Sequence, residues 1–99
     1  MRYGDAFGYY ELNEFPGNKN IVISNSAYIY PEWRNQGKGT LQHKMRLVKA
    51  RELGYTKMIC TVAEGNAYEI KILEKNGWKR IDYVHSHEST NAQMWSIDL

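Results

Sequence analysis

Arg34, Gly37 and Gly39 form R-x-x-G-x-G inside the segment Tyr30 to Thr40, which reads Y-P-E-W-R-N-Q-G-K-G-T. Glycine has no side chain, so at Gly37 and Gly39 the backbone can approach a ligand closely. Where a helix follows such a segment, its first N–H groups point outward and its dipole adds partial positive charge. Arg34 and Lys38 add full charges. Together these features describe a socket for a diphosphate. Two other phosphate-binding patterns fail. A P-loop requires G-x-x-x-x-G-K-[ST], but here Gly39 follows Gly37-Lys38, and Glu32 occupies the first glycine position. The dinucleotide pattern G-x-G-x-x-G needs a third glycine where the chain has Gln42.

The elements around the segment must place it between a strand and a helix. Ile21 to Tyr30 (IVISNSAYIY) reads as a long strand. Its polar middle, Ser24-Asn25-Ser26, suits a bulge. Pro31 ends it, because proline cannot donate a ladder hydrogen bond. A helix is expected from about Thr40 to Leu53, with Leu41, Met45, Val48 and Leu53 on its buried side and Gly54 as its stop. Before this unit, Phe7 to Leu12 suits a strand and Asn13 to Asn20, with Pro16-Gly17, a turn or loop. After it, Lys57 to Val62 reads as a short buried strand. Asn66 is placed to cap a second helix with Ala67, Ile70 and Leu73 as its apolar stripe. Gly77 ends that helix, and Trp78 follows as an apolar anchor. Arg80 to Val84 and Gln93 to Leu99 then read as strands, joined by the polar His85 to Ala92. The strand–helix–strand unit implies a right-handed crossover and a locally parallel pair.

Composition sets the frame. With 99 residues the chain fits one domain, 1–99. Hydrophobic residues make up 42% and aromatics 13%, enough for a core and against disorder. A net charge of +2 does not by itself imply a nucleic-acid partner. Arg34, Lys38, Lys44, Arg46, Lys49 and Arg51 cluster, however, as a solvated helix face or a local anion site. The single cysteine, Cys60, excludes an intrachain disulfide, and together with three scattered histidines it does not match a structural zinc site. It reads as a small core residue. No apolar run spans a membrane and no signal peptide opens the chain, so a cytoplasmic location is expected.

What remains at the loop resembles the acetyl-CoA signature of the GNAT superfamily of N-acyltransferases. The flanks are similar as well. Ile29, Pro31, Trp33 and Arg34 look like that family's V-x-P-x-aromatic-R strand end, and Asn66 with Gly77-Trp78 looks like its N…G-aromatic pattern. The resemblance covers about Gly8 to Trp78. It implies an α/β fold: a mixed sheet with two helices in the order ββαβαββ, truncated at the N-terminus relative to the family. It also implies roles. Acetyl-CoA would be the cofactor. Arg34, Asn35, Gln36, Gly37, Lys38, Gly39 and Thr40 would hold its diphosphate. The strand end Tyr28, Ile29 and Tyr30 would pair with the pantetheine arm, and Asn66 would bond near that arm. The strand before the loop and the strand Lys57 to Val62 would splay apart to admit it.

One departure touches the chemistry. The family commonly places a tyrosine seven residues after the asparagine, to protonate the leaving thiolate; here that residue is Leu73. Tyr68 lies on a different helix face. An amine acceptor must also lose a proton, and the long strand holds no Asp or Glu. Glu64, between the strand Lys57 to Val62 and Asn66, is the candidate base. His85 and His87, in the polar connection, and Glu32 read as surface groups. His43 is expected beside the phosphates or in solvent. The resulting expectation is transfer of an acetyl group to an amine, a protein lysine being one candidate acceptor. The alternative is a non-catalytic CoA-binding or protein-interaction module. Nucleic-acid binding is the least favoured reading, no membrane partner is expected, and an uncovered sheet edge would allow homo-oligomers.

Overall fold

Pro16 and Gly17 make a two-residue hairpin turn, with Phe15 opposite Asn18 and Gly17 at φ 81°. A positive φ is costly for any residue with a Cβ, so glycine belongs there. The turn is shorter than the loop expected over residues 13–20, because its two residues suffice and the flanking chain is free to pair. Strands β2 (Gly8–Phe15) and β3 (Asn18–Ile29) are correspondingly longer. In this computed structural model, which describes residues 1–84 and 91–99, the chain begins with a strand that the sequence did not announce, β1 (Arg2–Gly4), paired antiparallel with β2. Asp5 makes the return possible: its carboxylate accepts from the amides of Phe7 (2.7 Å) and Gly8 (3.1 Å).

A single 3-10 turn, Pro31–Trp33, follows β3. The remaining elements are helix α1 (Lys38–Glu52), strand β4 (Lys57–Ala63), helix α2 (Ala67–Lys75), and strands β5 (Lys79–Val84) and β6 (Ala92–Asp98). The six strands form one sheet in the order β1-β2-β3-β4-β6-β5. Among the described residues only β3 and β4 run parallel, across the crossover through α1. His85 and His87 lie outside the described residues.

Both helices cover the same sheet face. Tyr10, Leu12, Val22, Met58, Cys60, Val62 and Trp95 alternate along their strands and pack with Leu47 and Ala50 of α1 and Leu73 of α2. Asn66 caps α2, accepting at its Oδ1 from the Glu69 amide (3.2 Å). Gly77, at φ 86°, ends it. Trp78 is buried as an anchor, as its place after the glycine suggested. No described helix is long and apolar enough to cross a membrane.

The expectation for α1 is reversed. Leu41, Met45 and Val48 are 42%, 38% and 51% exposed, and Leu53 is exposed as well. Gln42, His43 and Arg46 are buried instead, beside Leu47 and Ala50. The reason lies in what the helix covers. Its N-terminal half sits over strands that are losing their mutual hydrogen bonds, so it meets unpaired polar groups rather than a closed apolar surface.

Candidate functional site

The ladder between β3 and β4 joins Ile21–Ser24 to Lys57–Cys60 and then stops. Both strands continue, β3 to Ile29 and β4 to Ala63, without pairing to each other. The splay expected from the resemblance is therefore present. On its other side β3 is bulged. Tyr9 faces Tyr28 and Glu11 faces Asn25, three steps against two. That bulge lies just beyond Ser24, close to where the polar run suggested one. It disturbs the ladder, and the Gln42 side chain bonds two carbonyls there, donating to Tyr9 O (3.1 Å) and Tyr28 O (3.2 Å). Gly8 is required at the same place: a Cβ on it would lie 1.9 Å from the Tyr28 carbonyl oxygen.

The loop after β3 turns through two left-handed residues, Asn35 at φ 62° and Gly37 at φ 76°. Gly37 is the N-cap of α1, and its carbonyl accepts the first helical bond from Leu41 N (3.1 Å). The amides of Lys38, Gly39 and Thr40 thus precede any intrahelical partner. Space at Gly37 is open, whereas a Cβ at Gly39 would meet the Tyr68 hydroxyl at 3.1 Å. Arg34 braces the loop: its Nε donates to Ile29 O (2.9 Å), and its guanidinium lies 5.1 Å from the Tyr28 ring centre. Lys38 Nζ stands 4.2 Å over the Phe7 ring. Gln36 ties back to Glu32 O (3.0 Å).

Two cavities meet in the splay. The outer one, about 450 Å³, runs from Trp33, Arg34, Asn35 and Gly39 inward past Tyr28 and Ile29. The inner one, about 220 Å³, is walled by Ser24 and Asn25 of β3 and by Cys60 to Ala63 of β4. Ala27, Arg46, Asn66 and Glu69 line both. Of the sequence's candidates, Tyr28, Ile29, Arg34, Asn35, Gly39 and Asn66 line the outer cavity. Tyr30, Gln36, Gly37, Lys38 and Thr40 belong to the same loop and helix start without forming that lining. Glu64 lines neither cavity; it is exposed beyond the end of β4, and its amide donates to Asn91 O (3.0 Å). Glu32 is exposed.

Sequence reasoning missed Gln42 and Glu69, set Tyr68 aside as lying on another helix face although it lines the outer cavity, and left Arg46 in a basic cluster read as a solvated face or an anion site. The signal was present for α1: Gln42 and Arg46 are four apart and share a face. Arg46 is 5% exposed. It donates to Ser24 Oγ (3.1 Å) and pairs with Glu69 Oε1 (3.3 Å), while its buried Nε has no protein partner. His43 is neither beside the loop nor in solvent. It is fully buried, and its Nε2 accepts from Trp78 Nε1 (2.8 Å). Burial, then Arg46 and Lys44, push its pKa from 6.5 to about 4, so the ring is neutral near pH 7. Burial also pushes the Cys60 thiol up to about 12, which keeps it un-ionised and fits its place in the core. Leu73 is 1% exposed in the core and presents nothing to the cleft.

No protein-family model matches the chain, and no curated protein matches it in sequence. Solved structures do match. Ard1 from Thermoplasma volcanium superposes with a TM-score of 0.82 at 16% identity, over 94% of this chain and 63% of that one. A GNAT family acetyltransferase from Elizabethkingia anophelis with acetyl-CoA bound gives 0.78 at 16%, over 96% and 70%. A Bacillus subtilis acetyltransferase in complex with CoA gives 0.78 at 13%, over 96% and 70%. The chain thus spans under two thirds of the Ard1 length. At these identities the likeness establishes the fold: a mixed sheet with two helices, the acyl-CoA N-acyltransferase fold of the GNAT proteins.

Proposed function

We propose that this chain is an acetyl-CoA-dependent N-acetyltransferase. One observation carries the reading: two cavities that share Ala27, Arg46, Asn66 and Glu69 run from the glycine loop at the start of α1 to the gap between β3 and β4. Their outer end offers unpaired amides and Arg34, which suit a diphosphate. Their walls offer the unpaired inner edges of β3 and β4, which suit the amides of a pantetheine arm. Two structural neighbours hold acetyl-CoA or CoA in the same fold. Acetyl-CoA would supply the activated acyl carbon. Tyr28, Ile29 and Tyr30 would align the arm, Arg34 to Thr40 would hold the diphosphate, and Asn66 would donate from the amide end that does not cap α2.

The acceptor in this proposal is an amine, with a protein lysine as the leading case. Among the described residues no helix covers the sheet face opposite α1 and α2, which leaves access for a bulky acceptor. The proton released by the amine goes to a carboxylate. Glu69, in the lining of both cavities, is better placed for it than Glu64. Glu64 would act only from outside the lining, through water. Removing a general base commonly costs about two to four orders of magnitude in rate. Glu69→Gln is therefore expected to lose activity on that scale, and Glu64→Gln to stay within a few-fold. The reverse ranking assigns the base to Glu64.

Calorimetric titration with acetyl-CoA tests the reading directly. A flat response at millimolar ligand defeats it. Free CoA release with a lysine-rich peptide mixture then tests catalysis. Binding without release, and without acetyl groups on any lysate protein, leaves the CoA-binding module in its place.

A further inference from the structure

Acyl transfer leaves an electron pair on sulfur, and this chain has no tyrosine at the position where the resemblance would put the acid; Tyr28 and Tyr68 line the outer cavity, and no described residue lining the inner one is a tyrosine. Leu73 occupies that sequence position and is buried in the core. The inner cavity, walled by Ser24, Asn25, Cys60, Thr61, Val62, Ala63, Asn66 and Glu69, contains one cationic side chain among its described lining residues: Arg46. Arg46 lies seven residues beyond Gly39 on α1, about 10 Å along the helix from the diphosphate socket. Its anchor, Ser24 Oγ, belongs to the last residue pair before β3 and β4 part. The guanidinium therefore stands where the splay narrows into the β3–β4 ladder, away from the glycine loop. The residue lines both cavities while being 5% exposed, and its two terminal nitrogens are held by Ser24 Oγ and Glu69 Oε1.

We propose that Arg46 is the catalytic residue that stabilises the leaving thiolate of CoA, in place of a proton donor. This rests on the acetyl-CoA reading above. In the step, the amine nitrogen bonds to the acetyl carbon and the carbon–sulfur bond breaks. The electron pair stays on sulfur beside the guanidinium, and the amine proton goes to Glu69. CoA takes its own proton from solvent after release. A guanidinium cannot supply that proton, since it does not titrate in proteins, so it acts through charge and hydrogen bonding. The titratable and polar groups facing it are Glu69 on α2, Ser24 on β3, Cys60 on β4, whose thiol stays protonated, and Tyr10 on β2, whose hydroxyl pKa burial pushes further up. His43, the preceding polar residue on α1's buried face, is neutral near pH 7.

The test is binding, not turnover. Dissociation constants for CoA and for acetyl-CoA are measured by calorimetry from pH 6 to 8.5. Their ratio cancels every ionisation the two ligands share and leaves that of the thiol. A free thiol ionises near about 8.5, and an adjacent arginine lowers that value. The wild-type preference for CoA is expected to grow about tenfold or more across this range. Arg46→Gln should flatten the ratio, and Glu69→Gln should move its rise to lower pH. A flat wild-type ratio overturns the proposal, as does a slope that survives Arg46→Gln. If Arg46→Gln does not fold, the wild-type curve and the Glu69→Gln shift decide, and absence of either overturns it. Failure of the wild type to bind both ligands is a different result: it removes the acetyl-CoA reading and this inference with it.

Discussion

His43 has no accessible surface and a single partner. Because Nε2 accepts from the Trp78 indole, a neutral ring carries its hydrogen on Nδ1, which is buried without a partner. The ring stays neutral in the fold until the pH approaches about 4, well below the ordinary 6.5. The unfolded chain takes up this proton near pH 6.5, and the folded chain does not. Stability from this group is therefore complete above about 6.5 and is lost as the pH falls from there to about 4. At about 1.4 kcal/mol per pKa unit the loss is on the order of 3 kcal/mol. Urea unfolding at pH 7 and pH 4.5 should show it. His43→Gln, which keeps an acceptor and does not titrate, should reduce the difference between the two pH values. Equal differences in variant and wild type would mean that other groups carry the acid sensitivity.

Helix α1 shows where sequence reading succeeds and where it stops. Its existence and its relation to the glycine loop were legible, because Gly37, Gly39 and the flanking strand-ending Pro31 are local signals. Its start is two residues earlier than expected, at Lys38. Its orientation was not legible. Apolar residues lie all around it, at Leu41, Met45, Leu47, Val48 and Ala50, so periodicity alone offers two stripes. The choice is made by partners distant in sequence: the Tyr9 and Tyr28 carbonyls for Gln42, Ser24 and Glu69 for Arg46, and Trp78 for His43. Glu69 was hidden for the same reason; nothing within α2 marks it as a partner of α1. The two stripes make opposite predictions. Val48→Glu should change stability by less than about 0.5 kcal/mol, as exposed substitutions usually do. Leu47→Ala should cost about 2–4 kcal/mol through a core cavity. Chemical denaturation of both variants decides, and the opposite ranking would restore the Leu41–Met45–Val48 face as the buried one.

At the scale of the whole molecule, the sheet is two antiparallel blocks held together by one parallel segment of four residue pairs. β1, β2 and β3 form one block, and β4, β6 and β5 the other. The hairpin and the parallel crossover could be anticipated from turn residues and element order. β1 could not, because a three-residue edge strand carries too little pattern. The blocks diverge beyond Ser24 and Cys60, and α1 and α2 bridge the opening through the Arg46–Glu69 pair. A ligand lying in this gap touches both blocks and binds only when they are correctly joined. Acetyl-CoA should therefore stabilise the whole domain rather than a loop. At a hundredfold excess over its dissociation constant the gain is about 2.7 kcal/mol. For a domain near a hundred residues that raises Tm by roughly 10–20 °C. Hydrogen exchange should then place the local effect. Amides that face the gap in residues 25–29 and 61–63 should gain protection beyond the global increase, whereas β1 should follow the global change alone. A thermal shift with no added protection at those amides would put the ligand elsewhere on the protein and remove the cleft from the mechanism.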